Sequence, residues 1–245
     1  MTDYLKALDD FENGIISRFR QTPVLSELDK LSNDKLKKLL LQRRQISLQF
    51  TPLYEKALAF VESPRLESGL KWLIKEEFPD GELNHRRAIV EDLQKLGLSK
   101  RDIFSSQPTK GTYETIKGLH FVMDSFPIIE QSANADLGAL IWLRMTMETL
   151  PGEEYDLIVK ELVKPKRSFA LTEQNSVFYV LHRDHDRKAA PMFEDSNDPK
   201  NHSNVIGKCL KELVNSEAKL AYAMNIMNMA ESVKAGFYSQ FKLRE

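Results

Sequence analysis

Glu82 and His85 stand three residues apart, ahead of Ile89, Leu93 and Leu96. On a helix these five positions fall within roughly an 80° arc. The carboxylate and the imidazole would then extend an apolar stripe that faces the core. An inward carboxylate costs several kcal/mol unless it is paired or binds metal. Glu-x-x-His on an inward helix face is also the spacing of carboxylate-bridged metal sites in helical bundles. The same two residues read, without metal, as an acidic residue favoured at a helix start and a hydrogen-bonded core histidine.

A second group is His182, Asp184, His185 and Asp186. Leu171, Phe178 and His182 align on one face of a helix, and His185 and Asp186 follow His182 at three and four residues. An imidazole and a carboxylate at i and i+4 can reach one metal ion. The competing reading is a charged helix end in solvent, and it suits Asp184 best. Glu148 is a third candidate, on the face of Leu137 and Ile141. Arg144 shares that face, so a buried Glu–Arg pair is the alternative. His120, between Leu119 and Phe121, reads as structural, and Trp72 and Trp142 read as core aromatics.

Helices must position these residues. The chain has 245 residues, 42% of them hydrophobic and 29% charged, with only 10 glycines and 10 prolines. That is an ordinary globular balance, large enough for one sizeable core and rich in helix formers. There is no Asn-Gly hairpin turn and no sustained alternation, so strands are not expected. Ser32 is placed to cap a helix through Leu36, Leu39, Leu40, Ile46 and Phe50, with Pro52 kinking or restarting it. Further helices are expected over Glu82–Leu96, ended by Gly97, then a short one capped by Ser99. Others are expected over Tyr113–Met123, Ile128–Leu150, Glu153–Val163, Leu171–Asp186 and His202–Phe241. Residues Arg187–Asn201 read as a loop. No repeat or linker divides the chain, which reads as one domain over residues 1–245.

Several classes fit poorly. The formal net charge is −1 with no dense basic patch, unlike a nucleic-acid binder. No secretory signal is apparent and no apolar run would span a membrane. The single cysteine, Cys209, excludes a disulfide framework and a cysteine-based zinc cluster. A cytoplasmic protein is the simplest expectation.

One series of segments carries a family resemblance. Glu76-Glu77-Phe78-Pro79-Asp80-Gly81-Glu82-Leu83-Asn84-His85, followed by Leu93-Gln94-Lys95-Leu96-Gly97-Leu98-Ser99, resembles the signature of the heme-oxygenase-like diiron oxidases and oxygenases. Leu31-Ser32-Asn33-Asp34-Lys35-Leu36 onward resembles that family's second helix. Gly138 through Glu148 and Pro151 resembles the helix bearing its central carboxylate, and His182 with Asp186 its His-x-x-x-Asp motif. The order and spacing agree over nearly the whole chain, although no single motif is highly specific.

The resemblance implies an all-α, single heme-oxygenase-like helical bundle of about seven or more helices. TenA, PqqC and the chlamydial death-domain-associating protein share that fold. It implies a biosynthetic, iron-containing oxidoreductase that binds and reduces O2 and oxidises a small organic substrate such as an amine, amino acid or fatty acid. Two iron ions are expected, and manganese or a mixed manganese–iron centre would use similar ligands. Carried over by position, Glu77 and His85 would serve one iron together with His182. Glu148 and Asp186 would serve the other, with Glu82 as a bridging or supplementary carboxylate. The family places a further histidine three residues after the aspartate, where this chain has Ala189. His202 is the favoured substitute and His185 the alternative. A small-molecule substrate is the expected partner, a homodimer is compatible with the fold, and nucleic acid and membrane are not expected. A metal-free interaction protein, or a TenA- or PqqC-like protein, on the same scaffold is the competing reading.

Overall fold

The computed structural model describes residues 3–77, 84–129, 132–192, 194 and 201–241, without the side chains of 77, 132 and 133. All regular structure among these residues is helical. The order is α1 (Asp3–Arg20), α2 (Pro23–Ser26), α3 (Asn33–Ser47), α4 (Phe50–Leu58), α5 (Pro64–Glu77), α6 (His85–Lys95), α7 (Lys100–Ser105), α8 (Lys110–Ile129), α9 (Ser132–Leu143), α10 (Leu150–Leu162), α11 (Tyr179–Asp186), α12 (His202–Leu213) and α13 (Glu217–Tyr238). This is the all-α bundle expected.

The centre of the bundle is α9 and α10, joined without a break by a π-helical segment, Arg144–Thr149. Every residue from Ala135 to Asp156 is buried, Pro151 and Gly152 included. A helix buried all round is normally apolar all round. This one also carries Arg144, Glu148, Glu153, Glu154 and Asp156 inside, so each needs a partner from a surrounding helix. Around it, α13 packs on α1, α8 and α9, while α10 packs on α1 and α11 and α12 packs on α5 and α9. One hydrophobic cluster runs from Leu5 to Tyr238.

Several boundaries differ from expectation. The break at Pro151 does not occur. In the π segment Leu150 N–H bonds to Met145 C=O, an i→i+5 bond whose extra residue widens the turn, and Pro151 follows directly on that widened turn inside the continuous run. The helix expected to start at Glu82 starts at His85, because Asn84 is extended and its side chain accepts a bond from Arg87 N–H at 3.0 Å. Glu82, and with it the face proposed for Glu82 and His85, lies outside the described residues. Leu171 is not on the helix of His182, since α11 begins only at Tyr179. The last expected helix is two, with Ser216 capping the second. Pro52 restarts the chain as α4 after α3 ends at Ser47.

Candidate metal centre

Glu148 lies in the π-helical segment and is fully buried. In an α-helix Arg144 and Glu148 would stack as i and i+4. The extra residue in the π turn removes that stacking. Arg144 instead forms a two-pronged pair with Glu12 of α1, at 2.7 and 2.9 Å, and donates to the Ser203 carbonyl. The Glu–Arg pair given as the alternative reading of Glu148 does not form. Glu148 accepts a hydrogen bond from the Tyr54 hydroxyl of α4 on one oxygen, and its other oxygen is 3.2 Å from Nδ1 of His202.

Asp186 closes α11 and is 2% exposed. Its Oδ1 is also 3.2 Å from His202 Nδ1. Ligand atoms of Glu148, Asp186 and His202 all lie within 4.8 Å of one another. Two local devices bring them together. Gly152 lets α10 touch the backbone of α11: a Cβ there would stand 2.2 Å from Arg187 N and 2.6 Å from Asp186 C. Asn201 caps α12 by accepting from Asn204 N–H at 2.9 Å, and its amide donates to the Arg187 carbonyl at 2.7 Å. The start of α12, with His202, is thereby tied to the end of α11, with Asp186.

His182 lies one turn before Asp186, and its ring is 4.6 Å from that of His85 at the start of α6. Both rings are buried. His182 Nδ1 is 2.8 Å from the Phe178 carbonyl, which can only accept. The ring proton therefore sits on Nδ1, which makes Nε2 the lone-pair nitrogen of the ring. Burial, and then the neighbouring His85, push the pKa of His182 well below its ordinary value, so the imidazole is neutral. His202 behaves oppositely. Burial opposes its charge, but Glu148 and Asp186 outweigh burial and raise its pKa well above the usual range.

Helix α11 is aimed by a residue on α6. Asp92, two turns after His85, is fully buried. Its carboxylate accepts from Val177, Phe178 and Tyr179 N–H at 2.9 to 3.2 Å, and from the Ser176 hydroxyl at 2.6 Å. It caps the N-terminus of α11 from a different helix. One face of α6 thus supplies His85 and fixes the helix that supplies His182.

His85, His182 and Asp186 line a cavity of about 40 Å³ with Ile46, Phe50 and Met147. That is room for a few water-sized molecules against mostly apolar walls. Tyr155 borders the same cavity and its hydroxyl is 3.0 Å from the Ser47 hydroxyl.

Of the other residues singled out in the sequence, His185 is half-buried, with its ring 5.8 Å from that of His202, outside the Glu148–Asp186–His202 cluster. Glu77 ends α5 and its side chain is not among those described. Asp184 is exposed and pairs with Arg183. His120 bonds Gln49 at 2.9 Å, and Trp142 donates to the Leu119 carbonyl in the core. Trp72 stands edge-on to His202 at 5.8 Å. Tyr54, Asp92 and Gly152 were not apparent in the sequence. The only available sign was a tyrosine, an acid and a glycine at positions whose neighbours follow a core pattern.

No family model and no characterised protein matches the sequence. The fold is similar to a crystal structure of a CADD-like protein of unknown function from Nostoc punctiforme, with a TM-score of 0.72 over 98% of this chain and 97% of that one. Sequence identity is 14%, so the likeness is one of fold.

Proposed function

We propose that this chain is a non-heme iron oxidoreductase of the heme-oxygenase-like type, using O2 to oxidise a small organic molecule. The observation that carries the reading is the buried cluster of Glu148, Asp186 and His202 beside the His85–His182 pair. Two carboxylates and an imidazole, with two further imidazoles on the adjoining cavity wall, form the mixed oxygen and nitrogen donor set that suits iron or manganese better than calcium or a closed zinc site. One ion would be held by Glu148, Asp186 and His202, and a second by His85 and His182, with Glu77 as the carboxylate the resemblance implies. When bound, iron would supply the redox chemistry of O2. The chain's own contributions are positional. Tyr54 orients Glu148, the Phe178 carbonyl fixes the His182 tautomer, and Ile46, Phe50 and Met147 give the cavity apolar walls.

A second reading rests on a specific observation. A charged His202 between Glu148 and Asp186 makes the cluster a workable buried ion pair without metal. On that reading the chain is a metal-free interaction protein. The two readings separate on one measurement. Purified protein titrated anaerobically with ferrous iron should bind about two ions per chain, and His182→Ala and His202→Ala should each remove most of one. Iron binding absent in the wild type, or unchanged in both variants, would refute the iron reading.

A further inference from the structure

Beside the cavity lies a second, larger pocket of about 520 Å³, lined by Arg44, Arg86, Arg87, Lys100, Val90 and Phe104 among others. Leu48 and Arg86 line both, so the two adjoin. Four cationic side chains face this pocket against one carboxylate, Glu91. Arg87 and Lys100 are exposed, as surface cations usually are.

Arg44 is not a surface cation. It is 9% exposed, and its Nε is buried without a hydrogen-bond partner. Among the described residues its side chain forms no ion pair with a carboxylate, and its guanidinium stands over the Phe104 ring at 5.6 Å. Burial lowers its pKa and outweighs the opposing effect of Tyr179. Arginine is hard to deprotonate. A buried guanidinium without a counter-ion is costly, whereas one that receives an oxyanion forms strong charge-assisted bonds. Adjacent residues of α3 serve the two spaces: Arg43, which pairs with Glu154 at 2.7 Å, borders the inner cavity, and Arg44 faces the outer pocket.

We propose that Arg44, with Arg87 and Lys100, forms a vestibule that binds the carboxylate or phosphate group of a small organic anion, whose apolar part lies along Leu48, Val90 and Phe104 toward the cavity beside His85 and His182. That the anion is the substrate rests on the iron oxidoreductase reading; that the pocket binds an oxyanion does not.

The probes are octanoate, octyl phosphate and neutral octanol, titrated calorimetrically into metal-free and iron-loaded protein. At least one of the anions should bind roughly tenfold or more tightly than octanol, the preferred anion identifying the headgroup. Affinity should fall with added salt. Arg44→Gln should weaken anion binding roughly tenfold while octanol binding stays unchanged. Should Arg44→Gln not fold, the double variant Arg87→Gln/Lys100→Ala, at exposed positions, should weaken it severalfold. Octanol binding as tightly as both anions, or anion affinity unchanged in the folded variants, would overturn the proposal. A wild-type chain that binds anions through Arg44 but takes up no iron would instead overturn the iron reading and leave the vestibule standing.

Discussion

Gly152→Ala should damage both stability and the metal cluster, through a contact that can be sized. The added Cβ would meet Arg187 N at 2.2 Å and Asp186 C at 2.6 Å, whereas ordinary contact begins near 3.4 Å. The obstructing atoms are backbone, so no rotamer change relieves the clash. Helices α10 and α11 must separate by about 1.2 Å at this point, the difference between 3.4 and 2.2 Å. Overpacking of this kind costs about 1–3 kcal/mol, and more where backbone meets backbone. The displaced residue is Asp186 itself. Metal and catalytic constellations tolerate about 0.5 Å of misplacement, so iron affinity should fall by about a hundredfold as well. Gly236→Ala is the control. Its Cβ meets nothing within 4 Å, and it lies inside α13, so alanine should be neutral or stabilise by up to about 1 kcal/mol. The assays are urea unfolding of the metal-free proteins and ferrous iron titration of each. Gly152→Ala with wild-type unfolding and wild-type iron affinity would refute the argument that this close approach sets Asp186.

Tyr54→Phe removes the donor to Glu148 and should lower iron affinity about 10–100-fold while the far-ultraviolet circular dichroism is unchanged; equal affinity would show that the hydroxyl does not orient the carboxylate. Asp92→Ala strips the cap from α11 and leaves several buried N–H groups unmet, at a cost of about 2–4 kcal/mol. Its most sensitive readout is faster hydrogen exchange in α11 than in α13, and uniform exchange would count against the cap. Lys234 donates to Glu154 at 3.2 Å in the core, where burial and then Arg43 lower its pKa from 10.5 to about 8. The unfolded chain then binds the extra proton between about pH 8 and 10.5, so this residue makes stability rise with pH across that window, by a total on the order of 3 kcal/mol. The stability difference between wild type and Lys234→Met should therefore change from pH 8 to 10.5, and a constant difference in urea midpoints would show the lysine is not perturbed.

What the sequence disclosed and what it hid divide along physical lines. Local bonding was legible. Ser32 caps α3 and Ser99 opens α7 in a reciprocal capping box with Asp102, both within a few residues of chain. The positions of Glu148, Asp186 and His202 were legible as candidate ligands through the family resemblance, and the structure brings those three together, with His185 outside. The errors arose where a tertiary contact replaced a local one. Residues 171–178 have helical spacing, but Asp92 draws the backbone N–H groups of Val177 to Tyr179 to itself and the helix starts late. Helix α6 starts at His85 rather than at residue 82 because Asn84 accepts from Arg87 N–H and caps it there. No propensity scale signals the π turn, because its extra residue is only defined by what Arg144 and Glu148 each meet across the bundle.

That π turn explains why the central helix can carry so much buried charge. Most of the other buried acids face arginine or lysine. Glu12 meets Arg144 and Lys188, Glu154 meets Arg43 and Lys234, and Glu161 meets Arg167. Burial pushes Glu12 up, but Arg144 and Lys188 outweigh it and hold it below its ordinary pKa. The arginines among these partners are permanent cations, and such pairs serve structure. Glu148 and Asp186 share a histidine instead. Of the basic side chains, imidazole is the one that can act either as a counter-ion or, once deprotonated, as a ligand. By turning Arg144 toward Glu12 and Glu148 toward His202, the π segment separates a fixed ion pair from an exchangeable one within five residues of chain. An ordinary α turn would have stacked Arg144 on Glu148 and left His202 with Asp186 as its one carboxylate in this cluster. The proposed metal site therefore depends less on the identity of the donors, which many helical bundles share, than on this one local departure from α geometry.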